Sequence, residues 1–289
     1  MENLKVIKDR IKTVGSIIKA TNAMKMVSTV KLARVNNINK CSKQCAEILF
    51  DMFSRATREL IFEQETDYWF SPKNSREQGK SLIVILSIDQ GFCGSFQQSL
   101  RDKAAEAIKQ NPGAYVEVFG KKGEIFAQNA LRLTEVRDKM NTEVGSHYDI
   151  AGYVKLLSGL VSKYVKEHSV SEVYVVSGEF RNVLVQKAKC QKVFPATEED
   201  ITKTQYTKIE GDRIDFMNAV FDMYLQKLFT GIVTEHLIAE LSARVMAMDN
   251  SVRNARNMFE KLSGLYNKVR QAKITQELTE IVSSIECVQ

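Results

Sequence analysis

The sequence predicts an α/β protein that combines a long antiparallel coiled coil, made by its N- and C-terminal helices, with a central, mostly parallel α/β domain. Three observations lead there. All three prolines, Pro72, Pro112 and Pro195, lie mid-sequence. Proline is the strongest helix breaker, so both flanks are free to run as unbroken helices. Each flank repeats apolar residues at alternating steps of three and four, the mark of a helical seam. Between the flanks, short apolar runs alternate with helical stretches, as in a sheet covered by helices.

The first flank, residues 1–60, carries its seam on Leu4, Ile7, Ile11, Val14 and Ile18. Beyond Ile18 the row becomes impure. Its continuation falls on Thr21 and Lys25, while Met24, Val27 and Val30 occupy neighbouring rows. The polar stretch Glu63 to Gly79 reads as a linker or mobile loop. The central domain, residues 75–205, opens with SLIVILSI, a continuous apolar run expected of a buried parallel strand. It ends in DQGFCGS, and a helix follows to about Gln110. AYVEVFG is the second strand, with a helix expected around Lys122 to Ala130. Another helix, Asp149 to Glu167, leads into the strand EVYVVSGEF, which turns through Arg181 and Asn182 into VLVQKAKCQKVF. Alternation of this kind describes an open, Rossmann-like sheet. The last flank, residues 212–287, sets Leu241, Val245, Met248, Val252, Ala255, Phe259, Leu262, Tyr266 and Val269 at strict 4-3 steps. The row then shifts by one and resumes at Ile274, Leu278, Ile281 and Ile285, and Asp212 and Asp215 are placed to cap the helix start. Two such helices at opposite ends of one chain most simply pair antiparallel.

Composition narrows the function. The net charge of +6 is unevenly placed: from Met1 to Lys43 there are ten Lys or Arg against Glu2 and Asp9. That bias implies an anionic partner, be it nucleic acid, lipid headgroups or an acidic protein surface. Five cysteines, odd in number, read as reduced thiols. Cys41 and Cys45 share a helix face, but no further Cys or His completes a metal site. No apolar run approaches the ~20 residues needed to span a bilayer. The start, MENLKVIKDR, has neither the apolar centre of a signal peptide nor the composition of a transit peptide.

Catalytic motifs are missing where they would be expected. SIDQGFCGS places Gly91 and Gly94 at a strand end, where backbone amides can approach a phosphate. It is neither GxGxxG nor GxxxxGK[ST], so it reads as a tight strand-to-helix turn. Cys93 lacks an evident base and reads as a small buried thiol. Asp89 reads as a cap for the following helix. His147, His168 and His236 are scattered. The chain therefore offers no catalytic residues, no cofactor site and no metal site. Nucleic-acid binding is disfavoured because the basic arm has no aromatic residue before Phe50 on which a base could stack.

IKTVGSIIKATNAMKMVSTVKLARV resembles the N-terminal helix of F-type ATP synthase gamma subunits, and SARVMAMDNSVRNARNMFEKLSGLYNKVRQAKITQELTEIV resembles their C-terminal helix. SIDQGFCGS is similar to the family's strand-end turn, with Gln90 and Phe92 in place of the commoner Arg and Leu. Ser284 and Ile285 stand where the family usually has Gly-Ala. The inserted regulatory cysteine pair of chloroplast members is not found.

The resemblance implies a non-catalytic rotor shaft, one copy per complex. Its paired helices would stand inside a ring of three alpha and three beta subunits, and its α/β domain would grip an epsilon-type subunit (the mitochondrial delta equivalent) and the c-ring. Proton-driven rotation would then cycle the nucleotide sites of beta, with no nucleotide bound by the shaft. Carried over by position, Met24, Lys25 and Arg244 pass the lever regions of beta, and Arg270, Gln271, Thr275, Glu277 and Glu280 match the belt that meets the catch loops. The start at Met1 favours the cytoplasmic face of a bacterial inner membrane over the matrix face of a mitochondrial one. Two other readings compete: a coiled-coil tether with an α/β head, revealed by salt-sensitive DNA binding, and an enzyme working at Gly91 to Ser95, revealed by nucleotide or phosphoester binding.

Overall fold

A computed structural model describes residues 4–62, 80–120, 122–123, 143–144, 147–167, 170–182, 185–194 and 213–286. Helices α1 (Leu4–Phe62) and α4 (Arg213–Glu286) are each unbroken, as proline-free flanks with a recurring apolar row allow. The chain divides into two compact units, residues 1–28 with 245–289, and residues 29–244.

In the first unit α1 and α4 run antiparallel. Lys25 Nζ lies 2.5 Å from Asp249 Oδ1, and a Cβ on Gly15 would sit 3.8 Å from the Phe259 ring. Ile7 and Val14 are buried on the α1 side, Met248 and Val252 on the α4 side. Leu4, Ile11, Ile18, Val245, Ala255 and Leu262 are half-buried, while Phe259 is exposed at the edge of the seam. The α1 row keeps its 3-4 spacing past Ile18 by taking polar residues inward: Thr21 and Lys25 are half-buried and Ser28 is buried. Met24 and Val27 accordingly face outward, 49% and 55% exposed. Helix geometry, and not hydrophobicity alone, decides which side chain goes inside.

The second unit is built on a sheet. Its strands are β1 (Ser81–Leu86), β2 (Tyr115–Phe119), β5 (Glu172–Phe180) and β6 (Gln186–Phe194), with β3 (Glu143–Val144) and β4 (His147–Tyr148) forming a separate short antiparallel pair that the sequence did not announce. The order across the main sheet is β2-β1-β5-β6. β1 runs parallel to both β2 and β5, and β6 returns antiparallel to β5. Asn182 makes that return possible: its side-chain oxygen accepts the Val185 N–H at 2.7 Å. Residues Leu82 to Leu86 are buried on both faces, as their apolar run requires. On one face α2 (Phe96–Gln110) lays Ala104 and Ala107 against Ile83, Ile85, Val118 and Val176. On the other, Leu82, Val84 and Leu86 share a core with Leu157 and Val161 of α3 (Ile150–Glu167), with Phe229, Leu237 and Leu241 of α4, and with Val35 of α1. Leu241, which opens the seam row in sequence, belongs to this sheet core. The helix expected near Lys122 to Ala130 (apart from 122–123), the stretch Glu63 to Gly79 and the cap at Asp212 lie outside the described residues.

Candidate functional site

The parallel part of the sheet creates a natural cleft. After β1 the chain crosses to β2 on one side and later returns to β5 on the other. Ligands of open α/β sheets bind beyond the strand ends where the order reverses in this way. Here the strand ends are met by the chain's own α4.

His236, Glu240 and Arg244 recur every fourth residue, so they share one face of α4. All three are buried. His236 Nδ1 accepts the Gly178 N–H of β5 at 3.0 Å, and its Nε2–H donates to the Ser87 carbonyl just past β1 at 3.3 Å. Both ring nitrogens are thereby used with the imidazole neutral, and burial pushes its pKa down from 6.5 to about 4. Arg244 Nε donates to the Gly91 carbonyl at 3.2 Å and Nη2 to the Gln90 carbonyl at 3.1 Å. Nη2 also approaches Cys93 Sγ at 3.3 Å and pairs with Glu240. Close approach is permitted by small residues. Ala239 and Ala243 pack with Ile88, Cys93, Phe96 and Leu100, and a Cβ on Gly178 would come within 2.5 Å of Phe96.

The turn itself is tight. Phe92 adopts φ 65° and Gly94 φ 57°; the former costs about 1–2 kcal/mol for a residue with a Cβ. Phe92 is held outward, 70% exposed, while Cys93 is buried. Burial pushes the Cys93 thiol up to about 12, with Arg244 opposing, so the sulfur is protonated and a poor nucleophile at neutral pH. Ser95, and not Asp89, occupies the N-cap of α2. Sequence reading passed over His236 and Glu240. Their signal was the placing of His236, Glu240 and Arg244 at every fourth position among the apolar residues of Ile232 to Val245.

The residues expected to meet other subunits fall into two groups. Met24, Arg270, Gln271, Thr275, Glu277 and Glu280 are exposed. Lys25 is half-buried in its ion pair with Asp249, and Arg244 is committed to the turn. Every residue from Arg270 to Ser284 is exposed, including Ile274, Leu278 and Ile281. Among the described residues no group of His, Cys, Asp and Glu could hold a metal ion, and no helix is long and apolar enough to cross a membrane.

A family model described as ATP synthase matches residues 3–288. The ATP synthase gamma chain of a Geobacter species is 31% identical, with the whole of both chains aligned. The chain belongs to the ATP synthase gamma-chain family. A gamma chain of Campylobacter jejuni subsp. doylei is 29% identical, again over the whole of both. Among solved structures, a chain of the Euglena gracilis mitochondrial ATP synthase has a TM-score of 0.61 at 14% identity, covering 99% of this chain and 94% of that one. A chain of the Tetrahymena thermophila central stalk and c-ring has a TM-score of 0.58 at 18% identity, covering 80% and 98%. At those identities the likeness speaks for the fold.

Proposed function

We propose that the chain couples proton-driven rotation of a c-ring to conformational cycling of catalytic beta subunits, in synthesis or hydrolysis of ATP, and is itself not catalytic. The observation that carries this is the first unit. It is a two-helix structure with a narrow buried seam, a basic surface and an exposed final stretch of α4. Within residues 1–28 and 245–289 there are twelve Lys or Arg against seven Asp or Glu. Nearly all of the chain's positive excess is therefore here, which suits attraction to acidic loops of surrounding subunits without deep interlocking. A shaft shifts its neighbours only if it contacts their alternative conformations unequally. One asymmetric pair of helices presents Met24 and Val27 on one face and charged residues on others, and so meets that condition.

The three-part division of the chain, with a helix at 1–60, a central domain at 75–205 and a helix at 212–287, follows this reading. The first and last parts face alpha and beta; the middle holds the epsilon-type subunit and the c-ring. One copy serves each complex, at the cytoplasmic face of a bacterial inner membrane. Direct nucleotide binding is disfavoured because His236, Glu240 and Arg244 fill the strand-end crevice. Met24, Arg270, Gln271, Thr275, Glu277 and Glu280 are the stator contacts, with Lys25 beside them.

Replacement of Gln271 and Thr275 by alanine tests the assignment. Both are exposed, so stability should change by no more than ~0.5 kcal/mol each. Coupled synthesis in the reconstituted complex should fall about fivefold or more. Equal loss of thermal stability and coupling counts against it, as does failure of the wild-type chain to assemble with purified alpha and beta subunits.

A further inference from the structure

Resting on the rotor reading, we infer that His236, Glu240 and Arg244 form a torsional anchor that stops α4 from turning about its own axis against the sheet. Apolar packing is non-directional, and a helix held by it alone can roll at modest cost. Hydrogen bonds tolerate little angular error. The described contacts combine both kinds. Leu237, Ile238 and Leu241 supply burial. His236 fixes the helix to Gly178 on β5 and to Ser87 beyond β1. Two turns later, Arg244 fixes it to the Gln90 and Gly91 carbonyls, with Glu240 between them on the same face steadying the guanidinium.

The placement argues for torsion in particular. The three residues form one i, i+4, i+8 row on a single side of the helix, inclined by about 26° to its axis. Their partners are three backbone carbonyls and a backbone N–H, which are themselves fixed by the sheet and its turn. Rolling α4 by even one residue position, about 100°, carries the whole row away from every partner and strands buried polar groups. Arg244 is also the last residue of its unit, so the helix is held up to the point where the other unit begins. Arg244 is thus a positioning residue for torque and acts through α4.

The test compares Arg244→Lys, Arg244→Gln and His236→Gln in the assembled, membrane-reconstituted complex. Two rates are read on the same preparation: ATP hydrolysis and ATP-driven proton pumping. A loosened anchor lets the catalytic ring turn the helix while the sheet lags. Hydrolysis should therefore stay within about twofold, and pumping per ATP should fall about threefold or more for Arg244→Gln. Arg244→Lys, which retains one charged donor, should recover part of the loss. Amide exchange at residues 90–93 of the full chain should quicken about tenfold in Arg244→Gln. Unchanged pumping per ATP in Arg244→Gln overturns the anchor. So does a parallel fall in hydrolysis and pumping, which marks a merely structural role. A wild-type chain that neither assembles nor pumps overturns the rotor reading, and the anchor with it.

Discussion

His236 is the residue whose chemistry is most constrained by its surroundings. It is neutral, buried and bonded at both ring nitrogens, with its pKa lowered from 6.5 to about 4. The unfolded chain binds a proton at that imidazole more readily than the folded chain does, so stability rises with pH across this window. It should be fully present above about 6.5 and decline as pH falls toward 4, by at most about 3 kcal/mol. Denaturant titrations of the wild type and of His236→Gln at pH 7 and pH 5 check this: the substitution should flatten the dependence. Cys93 makes a second prediction at the same scale. Its thiol is buried and pushed up to about 12, whereas Cys41 and Cys45 are exposed. Iodoacetamide at pH 8, followed by peptide mapping, should label Cys41 and Cys45 and leave Cys93 unmodified until the chain is denatured.

At the scale of elements, the paired helices have a core only one row deep. Ile7 is wholly buried in it while Val27 is more than half exposed. Ile7→Ala should destabilise the helical pair by about 2–3 kcal/mol, the lower part of the range for such truncations. Val27→Ala should change stability by no more than ~0.5 kcal/mol. Thermal melts followed by circular dichroism distinguish the two. These elements were also where the sequence spoke most plainly. Long proline-free rows fixed both helices, and the apolar run Ser81 to Ile88 fixed the buried strand. The hairpin from β5 to β6 was readable from Arg181 and Asn182. The pair β3 and β4 was not, since two-residue strands leave no periodicity. Past Ile18 the spacing of the row pointed to Thr21 and Lys25 and set Met24 in a neighbouring row. The structure follows that phase, with Lys25 half-buried, Ser28 buried and Met24 outside, although hydrophobicity alone would have chosen Met24. The bonds of Arg244 were hidden: a basic residue on a long helix is usually solvated, and nothing local reveals that a turn 150 residues earlier in the chain will come to meet it.

At the scale of the molecule, one feature changes how the subunit must be handled. The register that sets Lys25 against Asp249 and Gly15 beside Phe259 leaves α1 with nothing to offer beyond about Arg270. From there, among the described residues, α4 continues without α1 beside it, about 10–12 Å across where the pair is roughly twice as broad. A collar that closes around this tip can have a narrow bore and can be entered end-on. Before assembly, the same tip exposes Ile274, Leu278 and Ile281 to water, a greasy stripe with no covering of its own. Purified on its own, the chain should self-associate through that end, which sedimentation at increasing concentration checks, because burial of Ile274, Leu278 and Ile281 against a second copy removes them from water.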